Sequence, residues 1–520
     1  MLASLLAATL NGLDGRPVRV EVDVAAGLPG FTIVGLADTA LQESRERVRG
    51  AIRNSGYEYP ARRLTVNLAP ADVRKSGSSL DVAIALGILI GSEQLTARGR
   101  WALLGELSLG GELRPVPGLL PMVAALARRR VGRVVVPAAG LAEALLAGGI
   151  EVAPAETLAD AATLLRESRR GRPRTGSRRV ELVPEMGEEI GDRIERSVAP
   201  APPDLVEVRG QLEARRALEI ALAGGHGMVM TGPPGSGKTL LARTIPGLLP
   251  PLDDDEARVA TIIASVAGAG SVRGLVRGRP FRAPHHTISY AGMVGGGPHM
   301  SPGEVTMAHN GALFLDELPE FDRTTLEALR QPMEDGQVAI SRAGRAAVYP
   351  CRFQLIAAMN PCPCGYAGAG DGRCRCLPTV VRRYAARISG PLRDRIDLWV
   401  DMPRVRPEEY VGGAAPETSA TVSARVGTAR DRQLVARGVL NCRLSGRALR
   451  AACGLAPAEQ RHAVRLAQLE GWSARGMERL LRVARTIADL AAAEAVTQEH
   501  LDEAARFRTR GAVPDLEAAV

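Results

Sequence analysis

The chain has 520 residues, 46% of them hydrophobic and 3% aromatic, enough for about three or four domains with sizeable cores. A net charge of +9 suits a phosphate-rich partner, although charge speaks to association and not to fold. No stretch reaches the roughly eighteen apolar residues of a membrane helix, the N-terminus lacks a basic region ahead of an apolar run, and four of the seven cysteines crowd into residues 362–376. A membrane protein and a secreted disulfide framework are therefore disfavoured, and a soluble cytoplasmic protein is expected.

Residues 18–167 alternate apolar strands with amphipathic helices. VRVEVDV, FTIVGL, RLTVNLA and RVVVP read as strands, while Leu41, Ser44, Val48, Ala51 and Ile52 recur at helical spacing, so residues 1–167 are expected to form an α/β or α+β domain. Inside it, KSGSSLDVAIAL at residues 75–86 sets Lys75, one of only two lysines in the chain, near Ser79 at the mouth of a helix. These are the parts of a Ser-Lys nucleophile pair. A serine there is also an ordinary helix cap, which is the commoner case. From residue 168 to 203 a basic run gives way to an acidic, proline-flanked segment without apolar periodicity, and reads as a linker.

A second domain is expected over residues 204–403. The apolar stretch GMVM leads into GPPGSGKT at residues 232–239 and then into a helical run, which is the confirming context for a phosphate-binding loop. Gly232, Gly235 and Gly237, with Pro233, Pro234 and Ser236 between them, let backbone N–H groups turn inward on phosphates. Lys238 would hold the β and γ groups of ATP, and Thr239 would reach Mg²⁺. Further on, GALFLDELPEF at residues 311–321 is an apolar strand that ends in two carboxylates. Asp316 is placed as metal partner and Glu317 as the base that activates water. FQLIAAMNP ends in Asn360, whose amide could orient that water.

Between those two strands, GQVAISRAGRAAVYP at residues 336–350 alternates apolar and polar residues around a glycine turn and predicts a β-hairpin. Arg342 and Arg345 at its tip are candidate DNA-phosphate contacts. Directly after Asn360, Cys362 and Cys364 are followed by Cys374 and Cys376. Two close pairs could close a tetrahedral structural zinc site that presents Arg373 and Arg375, although C-x-C is tighter than the usual spacing. The alternative is four reduced thiols in a surface loop. Cys351, Cys442 and Cys453 are isolated and read as buried small residues. His285 and His286 lack carboxylate or cysteine neighbours at ligand spacing, and a mobile glycine-rich insertion is expected around them. Residues 404–520 are assigned to a helical domain, with helical periodicity throughout 419–509.

These blocks resemble an AAA+ ATPase, and more narrowly the magnesium-chelatase-like ComM/YifB family. The resemblance spans nearly the whole chain, through GLPGFTIVGLADTALQESRERVRGAIRNSG, TVNLAPADVRKSGSSLDVAIALG, RAPHHTISYAGMVGGG, GEVTMAHNGALFLDELPEF, NPCPCGY and SGPLRDRIDLWV. It implies an α/β multidomain protein with a Lon-protease-like (ribosomal S5 domain 2-like) first domain, an AAA+ core and a helical lid over the nucleotide. It also implies that Asn360 is sensor 1, Arg395 an arginine finger acting on a neighbour's ATP, and Arg475 the sensor 2 arginine, with Arg482, two helical turns away on a similar face, as the alternative. A salt bridge to Asp394 or Asp397 is the alternative for Arg395. A finger acting in trans implies a ring, by analogy a hexamer. The insertion carrying His285 and His286 would face its channel. Ser79 falls at the Lon serine, but the matching lysine position reads as Leu120, which cannot accept a proton, so a non-proteolytic domain is expected. The resemblance points to an ATP- and Mg²⁺-dependent motor on single-stranded or branched DNA, driving branch migration in natural transformation. The alternative is a protein-remodelling ATPase of the magnesium chelatase or MoxR kind.

Overall fold

The computed structural model describes all residues except 37, 72–74, 76, 167–200, 269–271, 298–299, 343–344, 369–371, 407, 409–416 and 510–520. Most of the segment read as a linker thus lies outside the described residues. The fold is mixed α/β, built on two separate sheets and a set of C-terminal helices. No helix among the described residues is long and apolar enough to cross a membrane.

The first sheet opens with a long antiparallel hairpin of β1 (Leu2–Asn11) and β2 (Asp14–Ala25). Val18, Val20, Val22 and Val24 are buried in alternation along β2, the period-2 signature of a half-buried strand. With β3 (Gly30–Val34), β4 (Arg63–Ala69), β5 (Trp101–Leu103), β6 (Arg133–Pro137) and β7 (Glu151–Ala155), the strand order is β3-β4-β2-β1-β5-β6-β7. Helix α1 (Thr39–Asn54) and helix α2 (Asp81–Gly91) share one core cluster, and α3 (Leu119–Arg128) and α4 (Leu141–Leu145) belong to another. Nearly every residue of α2 is buried, as a helix apolar on all sides must be. Ser79, just before it, is buried and donates to the Ala8 carbonyl at 3.0 Å, while the buried Lys75 amine donates to the Pro70 carbonyl.

The second sheet is wholly parallel. Following α5 (Leu212–Gly224), its strands are β8 (Met228–Thr231), β9 (Phe281–Arg282), β10 (Ala312–Leu315), β13 (Gln354–Met359) and β14 (Leu398–Asp401), in the order β9-β10-β13-β8-β14. ALFL and QLIAAM are buried at every position, because helices cover both faces of a parallel sheet. Between β10 and β13 in sequence lies the predicted hairpin, β11 (Gln337–Arg342) paired with β12 (Arg345–Pro350). Thr231 is level with Met359 and Asp401, and Leu315 with Ala357. The residues that follow β8, β10 and β13 therefore emerge on one edge, the carboxyl edge where open parallel sheets bind ligands.

The C-terminal helices, including α8 (Ser419–Arg437) and α9 (Ala474–Leu490), pack on the second sheet. His226, just before β8, contacts Asp397, just before β14, at 3.0 Å and Thr486 of α9 at 2.8 Å. Asn441 donates to Thr486 and to Asp489. Helix α9 thus meets the sheet where its strands begin. Helical periodicity reports which face of α9 is buried, not which end of a sheet it is buried against.

The two halves of the chain that carry these sheets also touch each other. Helix α7 (Asp254–Ala267) of the second domain lies against α3, where the Gly118 amide donates to the Ser265 carbonyl at 2.9 Å. The Ser265 hydroxyl and the Leu120 amide both donate to the Glu143 carboxylate, at 2.6 and 3.0 Å. At a second point, Leu13 at the tip of the first hairpin packs into the core that holds Ala347 and Tyr349 of β12.

Candidate active site

The loop at residues 232–239 leaves β8 and enters α6 (Lys238–Arg243). Gly235 and Gly237 take φ of +77° and +92°, a left-handed backbone that residues with side chains rarely adopt. At Gly232 the reason for glycine is space, since a Cβ would lie 2.2 Å from the Met402 carbonyl oxygen. The Lys238 ammonium donates to the carbonyls of Gly232 at 2.6 Å and Pro233 at 2.9 Å, and to Asn360 Oδ1 at 3.3 Å. Burial pushes the Lys238 pKa down, opposed by Asp316 and Glu317.

Across the edge, the Thr239 hydroxyl donates to Asp316 Oδ2 at 2.7 Å. The two residues assigned to a metal ion are therefore already adjacent, one hydroxyl and one carboxylate, the oxygen chemistry that Mg²⁺ prefers. Glu317 comes next, on a left-handed turn with φ of +54°, uncommon for a residue with a side chain and a recurrent mark of functional sites. Its amide donates to Asp316 Oδ1 at 2.9 Å. The fold thus gathers Lys238, Thr239, Asp316, Glu317 and Asn360 from three neighbouring strands.

Beside the loop is a cavity of about 650 Å³, lined by Arg209, Gln211, Asp401, Pro403, Glu417 and Arg425 among others. Gln211 joins its walls, donating to the Ser236 carbonyl at 3.0 Å and the Pro403 carbonyl at 2.6 Å. The space is of the size small-molecule sites have, and the start of α8 closes one side of it. Arg425 there is doubly paired, with Glu219 at 2.6 Å and Glu417 at 2.6 and 2.8 Å.

Other predicted residues lie elsewhere. Arg395 pairs with Glu334 and donates to the Pro391 carbonyl at 2.6 Å, so its carboxylate partner is neither Asp394 nor Asp397. Arg475 is exposed on α9, the helix that meets the far end of the sheet. One turn on, Arg479 is the arginine that approaches the core, 3.6 Å from Asp394. Arg342 is exposed at the end of β11, in register with Arg345; the Arg345 side chain lies outside the described residues.

The four clustered thiols come together. Cys362 and Cys364 sulfurs are 3.3 Å apart, Cys374 lies 3.8 and 3.7 Å from them, and with Cys376 all four are within 4.8 Å of one another. Sulfurs bound tetrahedrally to one zinc would stand about 3.8 Å apart, given Zn–S bonds near 2.3 Å. The donor set fits that ion. Arg373 lies over the Tyr366 ring at 4.7 Å, and Gly365 sits so close to the phosphate-binding loop that a Cβ would be 2.6 Å from Pro234 Cδ.

Two contacts escaped the sequence reading. His286, which has no carboxylate or cysteine at ligand spacing in the sequence, has its Nδ1 3.1 Å from Glu317 Oε2. Gln211 was not singled out either, although a Gly-Gln pair ahead of a helix is a signal that could have been followed.

Relatives of nearly full length settle the family. YifB of Salmonella typhimurium is 43% identical over 501 residues, covering 96% of this chain and 95% of its own. Competence protein ComM of Haemophilus influenzae is 39% identical over 511 residues, covering 98% and 97%. The chain belongs to the ComM/YifB family. Three models of magnesium chelatase subunit ChlI and its parts match it, at residues 20–140, 204–410 and 416–508, which makes this ComM/YifB member a magnesium-chelatase-like AAA+ protein. Lon protease 1 of Hydrogenovibrio crunogenus is weakly similar, 26% identical over 132 residues, or 24% of this chain and 16% of that protein.

Proposed function

We propose that the chain is an ATP-hydrolysing motor that assembles as a ring, a hexamer, and moves on single-stranded or branched DNA, with branch migration in natural transformation as its task. Residues 232–239 would cradle the phosphates and Thr239 with Asp316 would hold Mg²⁺, which neutralises charge on the phosphoryl oxygens. Glu317 is the base, Asn360 orients water, and Arg395 reaches a neighbour's nucleotide once released from Glu334. Arg475, on the far side of the sheet, is kept as sensor 2 only if it too serves a neighbouring subunit. The thiol cluster is a structural zinc site, and the first domain is a Lon-like module without proteolysis, in keeping with Ser79 committed to a backbone carbonyl.

The observation that carries the DNA reading is the hairpin β11–β12. It leaves the chain between the carboxylate strand and the Asn360 strand and ends in Arg342 and Arg345, so a basic protrusion and the nucleotide edge share their supports. The competence name borne by the Haemophilus relative agrees with it. Single-stranded DNA is expected to raise the ATPase rate. Arg342→Ala with Arg345→Ala should weaken DNA binding alike for all sequences and reduce the salt slope by up to about 2, with basal ATPase unchanged. An ATPase indifferent to DNA, together with unaltered DNA affinity in the double variant, would instead favour a protein-remodelling motor, the class suggested by the magnesium chelatase models.

A further inference from the structure

We infer that two C-terminal helices, Gly446–Cys453 and Pro457–Leu469, form a second DNA site, one that grips the phosphates of a duplex. This rests on the reading that the chain acts on DNA, but not on the hairpin β11–β12 being what holds it. Residues 438–469 carry Arg443, Arg447, Arg450, Arg461 and Arg465 against a single acid, Glu459, whereas the whole chain holds 66 basic residues to 57 acidic. All five arginines are exposed, and among the described residues none of them forms an ion pair. Their neighbours that point inward are treated differently: Arg437 and Arg485 pair with Asp489, and Arg482 with Glu478. An outward row of like charges without counter-charge repels itself and is relieved by an anion from outside.

The scaffold beneath this row suits a groove. The first helix ends on Gly454, at φ +58°, and only Leu455 and Ala456 separate it from the second, which Pro457 opens. The first is seated on α9, where the Gly446 amide donates to Glu478 at 3.1 Å and the Cys453 thiol to the Leu481 carbonyl at 3.6 Å. The second is tied to the last helix, Gln498–Thr509, by His462 Nε2 at 2.6 Å from Asp502. Two helices joined by so short a glycine turn and seated on further helices are the parts of a helix–turn–helix unit. Ala463 and Ala467 of the second helix are buried, while Gln460, Arg461, Val464, Arg465 and Gln468 are exposed at the spacing of one face. Arginine and glutamine contact phosphates and base edges, and a major groove about 12 Å wide admits a helix. The two helices contain no Phe, Tyr or Trp, so the face has no ring on which an unstacked base could lie. It therefore suits a duplex arm, leaving the single strand to the hairpin, and branched DNA offers both.

The test measures binding of a blunt duplex and of an oligo-dT strand to the full-length chain across a salt series, with basal ATPase and ring size recorded alongside. Arg461→Ala with Arg465→Ala should weaken duplex binding about tenfold and reduce its salt slope by about 2. Oligo-dT binding, basal ATPase and ring size should stay at wild-type values. Arg461→Lys with Arg465→Lys should keep most of the duplex affinity, because a phosphate contact needs the charge rather than the exact shape. Unchanged duplex affinity and slope in the alanine variant overturn the inference, as does an equal loss for both DNA forms. A loss that comes with altered ring size would mark this face as an interface between copies, and overturns it too. Wild-type protein that binds neither form of DNA would sink the underlying DNA reading, a result distinct from selective failure of the variants.

Discussion

Lys238 and Glu317 stand on the same edge and have separable duties. The ammonium is turned onto loop carbonyls and Asn360, so its removal dismantles the phosphate cradle, whereas Glu317 lies outside the loop. Lys238→Ala should lose ATP affinity; Glu317→Gln should keep it while turnover falls about a hundredfold or more. Equal ATP affinity in the two variants, measured by direct nucleotide binding, would contradict the division. At this scale the sequence was readable where chemistry is contiguous, as in residues 232–239 or the pair Asp316 and Glu317. It was silent on His286, which reaches Glu317 only through strand pairing, and on Gln211, whose two acceptors, Ser236 and Pro403, come from distant segments.

Among the elements, the cysteine loop joins a metal-ligand geometry to the nucleotide edge through the contact of Gly365 with Pro234. Protein purified without chelators should carry about one zinc per chain by elemental analysis. Cys362→Ser should release it and loosen the loop, since metal binding is coupled to local folding, and ATP affinity should weaken because Pro234 loses its neighbour. Protein devoid of zinc would refute the assignment. The strands around this loop were legible because each is an apolar run bounded by turn residues. The short ladder of Gly295–Gly296 with Ser301–Pro302 was not, having no periodicity to read. The C-terminal helices were recognised as helices, but the end of the sheet that α9 meets was not legible, because amphipathicity is blind to which end receives the apolar face. His226, Asp397 and Thr486 decide that, through hydrogen bonds across more than a hundred residues.

For the molecule as a whole, Glu143 is where helices of the two halves meet. Burial raises its carboxyl above the ordinary range, opposed by hydrogen bonds from Ser265, Leu120 and Leu119. Since the folded chain holds this proton more tightly than the unfolded chain, the stability it lends is complete below the unfolded value, near 4.3. That stability is lost as pH rises through the raised folded value. Glu143→Gln should flatten this part of the Tm-versus-pH curve, and Glu143→Ala should cost about 2 kcal/mol or more by stranding buried donors. Identical pH slopes in wild type and Glu143→Gln would exclude the effect. The other meeting point has a different consequence. Gly12 takes φ of +63°, and a Cβ there would stand only 3.1 Å from the Ala347 Cβ, so each residue limits how large the other can grow. Chimeras that graft the first 166 residues of one family member onto the remainder of another would pair halves that never adjusted to each other. Lineages should accordingly pass the two halves on together and change these two sites in concert.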